Sequence, residues 1–117
     1  MKKILAVGCG GMAGSLLRAA VFQFVGAGIG LWLVNIIGSF FIGVAAARLI
    51  NRSAETRLFV STGLIGSFTS FSAFSADWFR LLESSLLTGM MYALGMTAAS
   101  IVAAAFGLLA GRKGAVE

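Results

Sequence analysis

Three long stretches of this chain, residues 4–50, 58–76 and 86–109, contain no aspartate or glutamate. A soluble domain of 117 residues cannot keep its surface wet on that pattern. The chain is 59% hydrophobic and only 11% charged, and its mean hydropathy is +0.99. One crossing of a bilayer takes about 20 mostly apolar residues. The length therefore fits four crossings with short loops. The expected fold class is an all-α membrane protein with four transmembrane helices, at about residues 4–24, 31–50, 58–78 and 86–109. Together they form a single integral domain over residues 1–117.

The same pattern excludes several function classes. The net charge is +5, but the basic residues sit between the apolar runs instead of forming a soluble patch for nucleic acid. Lys and Arg in such positions set topology. One cysteine, Cys9, allows neither an internal disulfide nor a Cys-based zinc site. The segment ending at Cys9 resembles the start of a lipoprotein signal, but its apolar run is too short for one. With no histidine and no nucleophile–base cluster, enzyme chemistry is disfavoured. Proton-coupled carriers and cation pathways usually keep an acid inside the membrane, and here the span interiors have none.

The most informative stretch is Gly63-Leu-Ile-Gly66-Ser-Phe-Thr69-Ser-Phe71-Ser72-Ala-Phe74. It packs two glycines, four hydroxyl side chains and three phenylalanines into twelve residues of an apolar run. Gly and hydroxyl residues weaken a continuous helix, and hydroxyls satisfy backbone groups that a break sets free. The third span is therefore expected to break near its middle. Freed carbonyls gathered at a symmetric interface would suit a hard cation such as Na⁺. Phe71 and Phe74 are three apart and share a face. A phenyl ring is positive along its edge, so the pair can meet an anion without holding it by a fixed charge. Ordinary packing is the competing reading of the pair.

Asn35 and Ser39, four apart, share a face of the second span, either as a bond between helices or on a wet path. In the fourth span Tyr92, Thr97 and Ser100 are the candidate polar residues, and Thr97 and Ser100, three apart, share a face. Arg18, near the end of the first span, is either a snorkelling anchor or a positive charge near an anion entrance. Gly10/Gly14 and Gly107/Gly111 have the spacing that lets helix backbones approach closely. Gly26 to Gly30 reads as a turn. Asp77, Trp78, Arg80 and Glu83 read as a membrane-interface cluster, with the indole at headgroup level.

Three blocks together resemble the signatures of the Fluc (CrcB) fluoride channel family. They are Gly10 to Arg18, Leu33-Val-Asn35-Ile-Ile-Gly38-Ser39-Phe40 with Gly43, and the Gly63 to Phe74 stretch. The third block is the most specific, and the resemblance spans the whole chain. It implies a fluoride-selective channel that exports the ion passively from the cytoplasm and so limits its toxicity. It further implies an antiparallel dimer with two pores. Asn35, Phe71, Ser72 and Phe74 would line the fluoride path, with Tyr92, Thr97 and Ser100 as further candidates and Arg18 in the vestibule. The carbonyls of Gly66 and Thr69 would hold a structural, untransported Na⁺. The third block departs from the family's usual Thr-Thr-Phe-Ser-Thr-Phe at Ser70 and Ala73.

The implied partners are fluoride, membrane lipid and a second subunit, with no nucleic acid. Seven of the nine basic residues, Lys2, Lys3, Arg48, Arg52, Arg57, Arg112 and Lys113, fall on the side of the amino terminus; Arg18 and Arg80 fall opposite. That bias favours both termini in the cytoplasm, hence pairing with an inverted paralogue, with self-pairing as the alternative. Two other readings remain. A small multidrug carrier needs a buried glutamate that the first span lacks. A non-conducting scaffold subunit would leave Asn35 and the Phe-Ser block unused.

Overall fold

The structure, a computed structural model, describes residues 1–116. Within them, four helical stretches are long and apolar enough to cross a membrane. The first is α1 (Lys2–Val25) and the second α2 (Ala27–Arg48). The third is composite. It starts with a short α3 (Ala54–Arg57), continues through a π-helical segment (Leu58–Ile65) and α4 (Gly66–Phe68), and resumes as α5 (Phe71–Ser84). The fourth is α6 (Leu86–Val116). The long axis of the bundle is 47 Å, close to the ~40–45 Å of a bilayer with its headgroups.

The chain reverses with very little loop. Between α1 and α2 only Gly26 leaves helical geometry, at φ 87°, a region that L side chains rarely enter. The expected turn over residues 26–30 is thus a single residue. Gly28 and Gly30 continue the helix, and Gly30 leaves room for the ring of Phe22 beside it. Ser85 alone joins α5 to α6, and Gly89, one turn on, receives Leu82 in the same way. The α2–α3 connection is longer. Its last residue, Ser53, accepts a hydrogen bond from the Thr56 N–H at 3.2 Å and caps α3.

Without a hydrophobic force between helices inside lipid, close backbone packing must hold the bundle. Small residues supply it along two seams. On α2 and α6, Gly43 faces the Ala104 carbonyl and Leu108, Gly107 faces the Phe40 carbonyl, and Gly111 faces Val44 and Ala47. On α1, Gly10 and Gly14 face the backbone of the π-helical segment at Gly63 and Leu64. Both small-residue pairs singled out in the sequence therefore lie on helix–helix seams. Leu31 and Val34 of α2, Phe74 of α5 and Met96 of α6 form the buried cluster between them.

Candidate functional site

The helix of the third span stops at Thr69 and Ser70, both extended, with ψ 163° and φ −145° respectively. A break inside a membrane must satisfy its own backbone. Here Asn35 does much of that. Its Oδ1 accepts the Ser70 N–H at 2.9 Å, and its Nδ2 donates to the Ser70 carbonyl at 3.4 Å. In a continuous helix that N–H would have gone to the Gly66 carbonyl. The Gly66 carbonyl keeps a contact from the Thr69 hydroxyl at 3.4 Å, which also approaches Ile65 at 3.2 Å. Ser70 then caps α5: its Oγ accepts the Ala73 N–H at 3.1 Å. On α2, Gly38 faces the Thr69 side chain, which occupies the space a Cβ would need.

Arg18 is half-buried and donates from Nη1 to the Thr69 carbonyl at 3.4 Å. The guanidinium reaches inward to the break, where it serves one of the carbonyls that the lost helical turn sets free.

A groove of about 400 Å³ opens along the break. Of the residues singled out in the sequence, it gathers Asn35, Gly66, Thr69, Phe71, Phe74, Thr97 and Ser100. Phe74 is 9% exposed and Phe71 79%, with ring centroids 5.9 Å apart, so one ring is set in the core while its neighbour projects. Thr97 and Ser100 of α6 do reach the groove. Ser72 does not; it lies exposed on another side of α5. Tyr92 stands one ring back, stacked on Phe74 with centroids 5.6 Å apart. Arg18 joins through the Thr69 carbonyl alone.

The groove also holds Ser39, Ser61 and Ser70. Ser39 carried a signal, its four-residue offset from Asn35. Ser61 carried none, because its side follows from the π winding ahead of the break: the Gly66 N–H reaches the carbonyls of both Ser61 and Gly63. No group of three His, Cys, Asp or Glu residues that could bind a metal occurs among the described residues. Any cation at the break would rest on neutral oxygens.

Four apolar helices long enough to cross a membrane, a break braced by an amide and a guanidinium, and a groove lined by hydroxyls, an amide and phenyl rings define a small multi-pass membrane protein. Its relatives agree. The sequence profile described as "CrcB-like protein, Camphor Resistance (CrcB)" matches residues 5–108, and the chain belongs to this family. It is 39% identical to a protein of Rhizobium meliloti over 92% of this chain and 94% of that one. It is 40% identical to one of Agrobacterium fabrum, over 96% and 98%. With one of Thermotoga maritima it shares 35% identity over 92% and 93%. Each of the three is named "Fluoride-specific ion channel FluC".

Proposed function

We propose that this chain is a fluoride-selective channel subunit, carrying the ion passively across the membrane rather than catalysing a reaction. The observation that carries the proposal is the groove itself. The Asn35 amide, the hydroxyls of Ser39, Thr97 and Ser100, and the rings of Phe71 and Phe74 converge on it, with no acid among its lining residues. Fluoride is small and strongly hydrated, and it crosses only where closely spaced donors replace its water and still release it. Neutral amides, hydroxyls and ring edges meet that requirement, whereas a lysine or arginine in the groove would hold the ion. In a cell, the membrane potential and the outward gradient would drive fluoride out of the cytoplasm.

The groove is open on one side, and Phe71 stands 79% exposed there. A second subunit laid antiparallel across that side would close the path and cover the ring. The carbonyls of Gly66 and Thr69 fit a structural Na⁺, which prefers uncharged oxygen ligands. Gly66 has lost its helical N–H partner, and the Thr69 carbonyl has a second lone pair beside the one given to Arg18. Bound there, Na⁺ would supply a positive charge joining the two subunits at the break. The path residues are Asn35, Phe71 and Phe74 with Thr97 and Ser100, Tyr92 lies behind Phe74, and Ser72 would serve from the subunit contact.

Liposomes loaded with fluoride and holding the purified chain, together with an oppositely oriented paralogue where it inserts in one orientation, should release it rapidly, with no chloride release. Replacing Phe74 with isoleucine keeps an apolar side chain but removes the ring edge. Its flux is expected to fall at least tenfold, about 1.4 kcal/mol in barrier terms, while the elution volume in detergent stays unchanged. Wild-type flux in Phe74→Ile liposomes would remove the ring from the path.

The seven-to-two distribution of basic residues supports insertion with both termini inside. In a Cys9→Ser background, cysteines placed at Lys2 and Ala115 should react with impermeant maleimide only after the cells are opened. Equal labelling from both sides would instead mean insertion in both orientations and pairing with itself.

A further inference from the structure

The sequence reads Trp78 as a headgroup anchor, but its Nε1 is buried and has no hydrogen-bond partner among the described residues. The Tyr92 hydroxyl is buried and unpartnered as well. Both rings stack on the same phenyl, with centroids 6.1 Å from Phe74 for Trp78 and 5.6 Å for Tyr92. Native folds rarely leave buried donors unmet, and two on one ring is a pattern that asks for an occupant. An indole N–H only donates, so the occupant is an acceptor. It is also small, because Leu31, Val34 and Met96 pack around Phe74.

A cavity of about 270 Å³ adjoins the tyrosine, which lines it with Asp77, Arg80 and Leu81. Arg80 is paired with Asp77, so the one acid at this cavity has its charge offset.

We propose that the indole N–H of Trp78, together with the Tyr92 hydroxyl, forms an additional anion station behind Phe74, where fluoride exchanges its last waters on the Asp77–Arg80 side of the span. This rests on the channel reading above and adds Trp78 to its path. Chloride, larger and weaker as an acceptor, gains less from a single indole donor in a packed site.

The test reads the donor directly. In lipid nanodiscs, the ¹⁵N-labelled indole resonance of Trp78, assigned in a Trp32→Phe background, should shift saturably with NaF and stay fixed in NaCl of equal ionic strength. In liposomes, Trp78→Phe keeps the stacked ring and removes only the N–H. Its fluoride flux should fall about tenfold, the factor for one lost hydrogen bond of ~1.4 kcal/mol, with unchanged elution volume. A resonance that ignores fluoride, or that moves equally in both salts because water alone occupies the site, would overturn the station. So would wild-type flux in Trp78→Phe, or loss of its assembly, which would mean that a neighbouring subunit satisfies the N–H. Wild-type liposomes that release no fluoride even with an oppositely oriented paralogue added would overturn the channel reading itself, and the station with it.

Discussion

Asn35→Leu is expected to abolish fluoride release from liposomes, a loss of at least a hundredfold. Asn35 supplies both the acceptor for the Ser70 N–H and a donor to the Ser70 carbonyl. Leucine is of similar size but offers neither. Ser70 is only 6% exposed, so its backbone groups cannot turn to water. Each buried group left unpaired costs about 1–3 kcal/mol, and the two together match a hundredfold effect or more. The chain can recover that loss only by rewinding residues 69–70 towards helix, which would move Phe71 and Phe74 around the axis and out of the groove. Amide hydrogen exchange distinguishes the two outcomes: Ser70 loses protection where the break persists unpaired and keeps it where the turn rewinds onto the Gly66 carbonyl. Asn35→Asp separates the two jobs of the side chain. It keeps an acceptor for the Ser70 N–H but sets a negative charge in the groove, so the break should persist while flux stays absent. An Asn35→Leu channel conducting at the wild-type rate would show that the break does not depend on this amide.

The second large effect lies away from the path. Gly107→Val should prevent assembly: a Cβ on Gly107 would run into the Phe40 carbonyl, and it is backbone, not a flexible side chain, that stands in the way. Accommodating valine means parting α2 from α6 along the seam that also holds Gly43 and Gly111. Overpacking typically costs 1–3 kcal/mol, and a clash with backbone belongs at or above the upper end of that range. The expected observation is loss of the monodisperse peak in detergent, or a fall of more than about 5 °C in its melting temperature. Gly8→Ala is the control. A Cβ there meets nothing within 4 Å, and alanine favours helix over glycine by up to about 1 kcal/mol. If Gly107→Val melted like the Gly8→Ala control, close approach along this seam would not be what holds the bundle together.

These two residues differ in how far the sequence exposed their roles. Gly107 and Gly111 announced a packing face through their spacing, and the structure adds only which helix they meet. For Asn35 the sequence left two readings, a bond between helices or a wet path. The structure shows the bond between helices, and the position of the residue on the groove joins it to the proposed path as well. The Phe71/Phe74 pair shared a predicted face, yet one ring is core and the other exposed, because Phe74 meets Leu31, Val34 and Met96 while Phe71, the first residue of α5, lies outside that cluster.

The four-helix membrane architecture followed from the acid-free apolar runs alone, since a bilayer admits so few ways of satisfying a backbone. The break in the third span was also legible, because Gly and hydroxyl residues weaken helix wherever they cluster. What only the tertiary structure decided is where the break's hydrogen bonds go. Ser70 turns to Asn35, 35 residues away in sequence, and the Thr69 carbonyl turns to Arg18, 51 away. The same holds for the donors left over at Trp78 and Tyr92. Local spacing sets the face of a helix on which a side chain lies, but a hydrogen-bond partner depends on which helices come to lie side by side. That arrangement is made by glycine seams between segments far apart in the chain.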